Sequence, residues 1–145
     1  MAMIFEDLGC AQALKAYFNN VWPSVTKDLT LKLYVTNVTP SATGADVAGA
    51  FTEAVGGSYA AITLTNGSWT ESNVGGIEQV AYAQQTWTFS GPLTTNPTIY
   101  GWFIVDHDGN LIAAQLNSTT FTPAVSGETC KVTPIIQLSH GTPAA

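Results

Sequence analysis

The spacing of apolar residues changes near position 29, from a period of three to four residues to a period of two. Before that position the apolar side chains form one stripe, which predicts an amphipathic helix over 4–19. Lys15 in the last turn suits the negative end of the helix dipole, and Pro23 follows as a stop signal. The stripe consists of Ile4, Leu8, Ala11, Leu14 and Phe18.

After position 29, apolar and polar residues alternate, which is the pattern of strands with one buried face. The clearest case is 29–36, where a leucine or valine occupies every second position. The segment 77–90 predicts either one long strand or a bent pair of strands. The other predicted strands are Tyr59–Thr65, Ile99–Asp106, Asn110–Asn117, Thr120–Pro123 and Glu128–Leu138.

Turn-forming residues separate these strands. The stretch Ser41–Gly57 is rich in alanine and glycine and predicts a long loop with a short strand near Phe51, or one or two helical turns within it. Asn66-Gly67 is a tight-turn signal. Loops are predicted at Asn73–Gly76 and Gly91–Pro97.

This order of elements predicts a single domain over 1–145 that is mainly β. One N-terminal α-helix precedes about seven or eight antiparallel strands, which are expected to close as a jelly-roll-like β-sandwich over 29–138. The small, polar residues 139–145 are expected to form a loose tail.

Composition narrows the range of partners. Charged residues make up 10% of the chain, the formal net charge is −6, and there is no arginine. Because nucleic-acid binding depends on Lys and Arg at phosphates, no nucleic-acid partner is expected. Neither a signal peptide nor a membrane span is visible, so we expect a soluble protein made in a cytoplasm, without a membrane partner.

Few residues could carry chemistry. Cys10 and Cys130 are expected to be reduced, partly buried thiols, although they could pair if the chain ends meet. Neither His107 nor His140 has a sequence neighbour that would make an activated nucleophile. We therefore expect no enzyme activity, no catalytic residues and no cofactor.

The segment Asp106–Asn110 begins like a calcium-binding loop. It lacks the glycine in the sixth place and the distal glutamate of such loops, so a hairpin turn is the simpler interpretation. No metal site is predicted.

Eight aromatic residues could form either a sugar-stacking platform or core and cross-strand pairs, and core packing is the more common use. They are Trp22, Trp69, Trp87, Trp102, Tyr34, Tyr59, Tyr82 and Tyr100.

A series of β-segments and turns supports a family resemblance over most of the chain from about residue 29 onward. Its segments are Leu31–Pro40, Phe51–Ala54, Gly57–Ala60, Trp69, Thr98–Asp106, Leu111–Ala114 and Val132–Leu138.

Together these segments resemble small β-rich virion proteins of tailed bacteriophages, similar to capsid cement or decoration proteins. The resemblance implies a non-enzymatic protein on the outer surface of the capsid, bound to the major capsid protein and assembled as a homo-oligomer, with a trimer favoured. A tail, neck or fibre component that binds host glycans is the alternative. For the capsid role, candidate protein-contact residues lie in and just after the helix. These are Phe5, Leu8, Leu14, Phe18 and Trp22.

Overall fold

The computed structural model describes residues 4–5, 28–41, 46–75 and 77–138. The segment with alternating leucines forms a strand, as predicted. The described residues are mainly β and pair antiparallel throughout. Their strands are β1 (Ile4–Phe5), β2 (Leu29–Tyr34), β3 (Ile62–Leu64), β4 (Thr70–Val74), β5 (Ile77–Ala81), β6 (Gln85–Thr88), β7 (Ile99–Val105), β8 (Leu111–Phe121), β9 (Thr129–Val132) and β10 (Ile135–Leu138).

Five strands form one sheet in the order β1-β8-β7-β2-β3. Its centre is the hairpin of β7 and β8, which confirms the hairpin predicted around the Asp-Gly turn. On the other side of β7, β2 pairs through the register Thr30–Val105 to Tyr34–Gly101. Strand β7 lies at the centre of the sheet, with β8 and β2 on its two edges, and six of its seven residues are buried.

Strands β5, β6, β9 and β10 form a second unit, which we call the ribbon. Strand β5 pairs with β10, and β6 pairs with β9. Between the two pairings, three residues (82–84) face two (133–134), so the ribbon carries a bulge where it bends. The Tyr82 N–H still donates to the Pro134 carbonyl at 2.9 Å across the bend. This confirms the bent-pair form of 77–90 and divides the predicted final strand into two.

The main core contains side chains from both the five-stranded sheet and the ribbon. Leu31, Leu33 and Ile104 come from the sheet, and Trp87 and Val132 come from the ribbon. All five are buried. Burial of this apolar surface stabilises the fold at about 25 cal/mol per Å².

A second core lies on the opposite face of the five-stranded sheet, since Phe103 and Val105 alternate along β7 with the residues of the main core. Tyr34 packs there against Phe51, with ring centroids 5.0 Å apart. The segment that supplies Phe51 contains a 3-10 turn at Ala48–Ala50. This confirms a helical turn within the long loop, and the bridge between Tyr34 and Glu53 accounts for the short strand expected near Phe51.

Gly101 marks the closest approach in this second core. A Cβ atom at this position would lie 2.1 Å from the Gln115 carbonyl oxygen and 2.5 Å from the Tyr34 hydroxyl oxygen. The absence of a side chain therefore lets the tyrosine ring pack directly on β7, which is why Tyr34 is fully buried.

Several sequence predictions need correction. Tyr34 stands between the apolar positions of 29–36, so the alternation predicts it on the polar face of the strand, but the second core buries it. The predicted loop 73–76 begins too early, because β4 continues to Val74 and pairs it with Ile77. Residues 120–121 belong to β8 rather than to a separate edge segment.

The N-terminal helix prediction is not supported. Its first two residues, Ile4 and Phe5, form β1 and pair with Ala114 and Ala113 of β8. Two adjacent apolar residues fit the pattern of an edge strand as well as that of a helix, so the sequence pattern did not distinguish the two. The rest of the predicted helix, 6–19, and the tail 139–145 lie outside the described residues. Among the residues that are described, no helix is long and apolar enough to cross a membrane.

Candidate contact surface

Lys32 on β2 and Glu53 in the loop before β3 are half-buried charged residues that contact each other. Lys32 on β2 places its Nζ 2.8 Å from Glu53 Oε2. The Tyr59 hydroxyl donates to Glu53 Oε1 at 3.1 Å and accepts the Leu33 N–H at 3.1 Å. Burial raises the pKa of Tyr59, and this tyrosine stays neutral at physiological pH. These contacts hold the loop before β3 against β2, so the cluster has a structural role.

Asp106 closes the β7–β8 turn from a buried position. Its Oδ1 accepts the N–H groups of Asp108 and Asn110 at 3.0 and 2.8 Å, and its Oδ2 accepts the Asn110 side-chain amide at 2.9 Å. These donors occupy the carboxylate that a calcium ion would need. Within the described part of the chain, no group of three His, Cys, Asp or Glu side chains could hold a metal ion.

The other candidate groups do not form a reactive cluster where they are described. His107 is exposed and lies 3.5 Å from Asp108. Cys130 is an unpaired, buried thiol, and burial raises its pKa to about 11, so it is protonated at neutral pH. His140 and Cys10 lie outside the described residues.

The aromatic residues lie mostly in the cores. Trp87 and Trp102 are buried, and the Trp87 indole N–H donates to the Ala60 carbonyl at 2.8 Å. Trp69 is half-buried and packs edge-on against Tyr82, with ring centroids 5.2 Å apart. This placement matches cores and cross-strand pairs rather than a flat sugar-stacking platform. Trp22 lies outside the described residues.

Strand β4 is the most exposed strand of the described chain. All five residues of β4 are exposed, so neither face of the strand packs on a core. In its sheet the order is β10-β5-β4, which leaves β4 with no described strand on its outer side. Gly75 in the turn has φ +62, the left-handed conformation that glycine allows at low cost.

The hydrogen-bond phase of this hairpin follows from the pairing of Val74 with Ile77. The pair Val74–Ile77 closes the turn and must exchange its own backbone N–H···O bonds, and such pairs alternate along an antiparallel ladder. Ser72–Gln79 and Thr70–Ala81 are therefore the next bonded pairs. The backbone N–H and C=O of Glu71 consequently point away from β5, along the outer side of β4.

A second exposed feature is an irregular stretch of β8. One residue of β7, Tyr100, faces four residues of β8, 117–120. The extra length forms one side of a depression of about 360 Å³, and β9 forms the other side. Hydroxyl and amide groups dominate its lining, with no carboxylate. The lining residues are Gln115, Asn117, Ser118, Thr119, Phe121, Thr129, Cys130 and Lys131.

Of the contact residues expected from the sequence, the structure describes only Phe5, which lies in neither of these two features. Phe5 lies in β1, where its backbone pairs with Ala113. Leu8, Leu14, Phe18 and Trp22 lie outside the described residues. Sequence reasoning did not identify β4, although Thr70–Val74 carried a signal: a strand-length polar segment directly before two glycines.

Comparisons with known proteins add no relative. No protein-family model, no curated protein and no solved structure matches the chain.

Proposed function

We propose that this chain is a non-enzymatic structural protein of a tailed-phage particle, a cement or decoration protein that binds the outer surface of the major capsid lattice and stabilises it. The observation that carries the contact role is β4, a strand exposed on both faces with outward-pointing backbone groups at Glu71. An exposed strand edge offers a row of hydrogen-bonding groups to another protein chain.

The distribution of charge supports this proposal. The half-buried Lys32 and Glu53 pair with each other, and the buried Asp106 is satisfied by its own turn. The exposed residues of β4 and β8 are mostly hydroxyl and amide side chains. A surface of this kind can be covered by another protein with little cost for removing charges from water.

The same proposal includes the arrangement of the sheets and the oligomeric state. The five-stranded sheet and the ribbon would be the two layers of a β-sandwich, with the main core between them. The jelly-roll arrangement and assembly as a trimer stay predictions, as do the capsid-surface location and the major capsid protein as the partner.

The test is whether the chain travels with particles. A lysate that contains assembled phage particles and the expressed chain is separated on a density gradient, and fractions are probed with an antibody to the chain. We expect the chain in the capsid peak at constant stoichiometry, and cryo-microscopy should place it on the shell. A chain that stays at the top of the gradient would contradict the particle role, and density restricted to the tail would contradict the capsid location.

The depression beside β8 favours a second candidate, a binding site for host glycans on a tail or fibre component. Its hydroxyl and amide groups could hydrogen-bond a sugar, and the half-buried Phe121 could offer an apolar face. Binding on a glycan array that is lost in Asn117→Ala, with β8 otherwise intact, would support this candidate. An array without hits would contradict it.

A further inference from the structure

We propose that Asn66 is a site of spontaneous covalent modification, at which the Gly67 backbone nitrogen displaces the side-chain amide and leaves aspartate or isoaspartate in the chain. The site lies in the turn between β3 and β4. It goes beyond the contact role proposed above and needs no partner, because water is the only other reactant.

The turn that carries Asn66 is exposed and depends on glycine. Residues 65–68 are all exposed. The Ser68 N–H donates to the Thr65 carbonyl at 3.2 Å, and Gly67 has φ +84. Since φ of Asn66 is not positive, the four residues form a type II turn with glycine in its third position. Solvent therefore reaches both reacting groups.

The backbone nitrogen of Gly67 is free to react. Within the described part of the chain its N–H donates no hydrogen bond, and the Asn66 side-chain amide bonds to no protein group. A Cβ atom at Gly67 would meet no atom within 4 Å, so the peptide between the two residues has room to rotate. Attack on the Asn66 Cγ therefore requires rotation within the turn, and it requires no hydrogen bond of Gly67 to break.

The reaction balances with water alone. Gly67 gives its amide proton to solvent base, and its nitrogen bonds to the Asn66 Cγ. The Cγ–Nδ2 bond then breaks, and the side-chain nitrogen takes up a proton and leaves as ammonia, which closes a five-membered succinimide. Water opens this ring at the Cγ carbonyl to give aspartate or at the backbone carbonyl to give isoaspartate. Each event adds one negative charge to a chain whose formal net charge is −6.

The β7–β8 turn contains a matched site in which the nitrogen is occupied. Asp108 is exposed and also precedes a glycine with positive φ, Gly109 at +83, so the same ring closure is chemically possible there with loss of water. However, the Gly109 N–H donates to the Asp106 carbonyl at 3.1 Å. Ring closure at Asp108 has to break this bond, so the fold protects Asp108 and leaves Asn66 open.

The modified turn holds the end of β3 against the start of β2. The Asn66 N–H donates to Asp28 Oδ1 at 2.7 Å, and Asp28 directly precedes β2. Isoaspartate lengthens the main chain by one carbon inside the turn, which disturbs this bond. Aspartate keeps the main chain but adds a second carboxylate near that of Asp28, and like charges repel. Both products should weaken the link between β2 and β3.

The purified chain is aged in mildly alkaline buffer, with and without urea, and its peptides are mapped by mass spectrometry. An isoaspartyl methyltransferase marks isoaspartate. We expect Asn66 to react faster than every other described asparagine, at folded and unfolded rates that agree within about threefold, whereas Asp108 should react about ten times or more faster in urea.

Two results would overturn the inference. One is an Asn66 that reacts about ten times or more slowly in the folded chain than in urea, because the fold would then protect it. The other is earlier modification of another described asparagine. Equal folded and unfolded rates at Asp108 as well as at Asn66 would contradict the argument from the Gly109 hydrogen bond.

Asn66→Gln is the matched control variant. Glutamine keeps the backbone N–H that bonds Asp28, but its ring closure is six-membered and slower, so no acidic product should accumulate at position 66. Amide hydrogen exchange in Ile62–Leu64 should become faster on ageing of the original chain and stay unchanged in aged Asn66→Gln. An acidic form that accumulates equally in both chains would place the modification at another residue and contradict the proposal.

Discussion

Strands β7 and β4 show how differently two strands of one chain are used. Six of the seven residues of β7 are buried and the seventh is half-buried, whereas all five residues of β4 are exposed. Strand β7 packs side chains into a core on each face and hydrogen-bonds along both edges. Among the described strands, β4 pairs with β5 alone. Strand β7 therefore contributes to both cores of the described chain, whereas β4 contributes to neither and is the edge to which we assign the proposed contact role.

The largest difference is expected from steric crowding at β7. Gly101→Ala places a methyl group 2.1 Å from the Gln115 carbonyl oxygen, which is part of the backbone and cannot swing aside. We expect a loss of about 3 kcal/mol or more in the free energy of unfolding, or failure to fold. Urea denaturation measures the loss. Gly49→Ala, where no atom lies within 4 Å, is the control and should change stability by less than about 0.5 kcal/mol.

Truncation of a core side chain gives the next largest effect. Leu33 is fully buried in the main core, so Leu33→Ala should lower the free energy of unfolding by about 2–5 kcal/mol. Val74→Ala in β4, where the side chain is 56% exposed, should lie within about 0.5 kcal/mol of the original chain. Similar losses for the two variants would show that β4 is packed more tightly than its exposure indicates.

Removal of the buried carboxylate at the β7–β8 turn should lower the free energy of unfolding by less than the largest loss expected for the core truncation. Asp106→Ala leaves two backbone N–H groups and one side-chain amide without their acceptor, for a loss of about 2–3 kcal/mol. Asp108→Ala is the matched control, because this side chain is 58% exposed. Thermal melts of both variants, recorded with and without calcium, provide a second measurement of the loss in stability. Equal responses of both variants would contradict the structural role of Asp106.

The smallest effect is expected at Glu128, in the turn before β9. The N–H groups of Val125 and then Ala124 bond its carboxylate and hold the pKa of Glu128 below its usual 4.5. This stabilisation is therefore present above the unfolded-state pKa and is lost as the pH falls through the folded-state pKa. Glu128→Gln should be slightly less stable at pH 7, and the difference should shrink on acidification. A difference that grows in acid would contradict this sign.

The alternation of leucines predicted β2 because one face of the strand packs on a core, so periodicity and burial agree. The same alternation wrongly predicted an exposed face for Tyr34. The burial of this side chain depends on Phe51, which lies 17 positions later, and on the absence of a side chain at Gly101. The β7–β8 hairpin was predictable because both its turn chemistry and its strands are local in sequence.

The candidate site was harder to predict, because an exposed strand has no apolar face. Thr70–Val74 contains a single apolar residue, so the segment gave no two-residue hydrophobic period, and the pairing of Val74 with Ile77 was missed. At the N-terminus, Ile4 and Phe5 fit either period, and only their distant partners in β8 made them a strand. Short segments take their structure from contacts that a single sequence does not reveal.

The strand order also affects the stage of synthesis at which each strand can pair with its neighbours. Strand β2 can pair with β3 once both have left the ribosome, but its other edge has no β7 partner until much later, because Thr30 pairs with Val105, 75 positions later. Until then a leucine-rich strand has an open edge, and pairings so distant in sequence form slowly. Aggregation is therefore a hazard of the growing chain more than of the finished protein, and slower translation before β7 should lower the soluble yield.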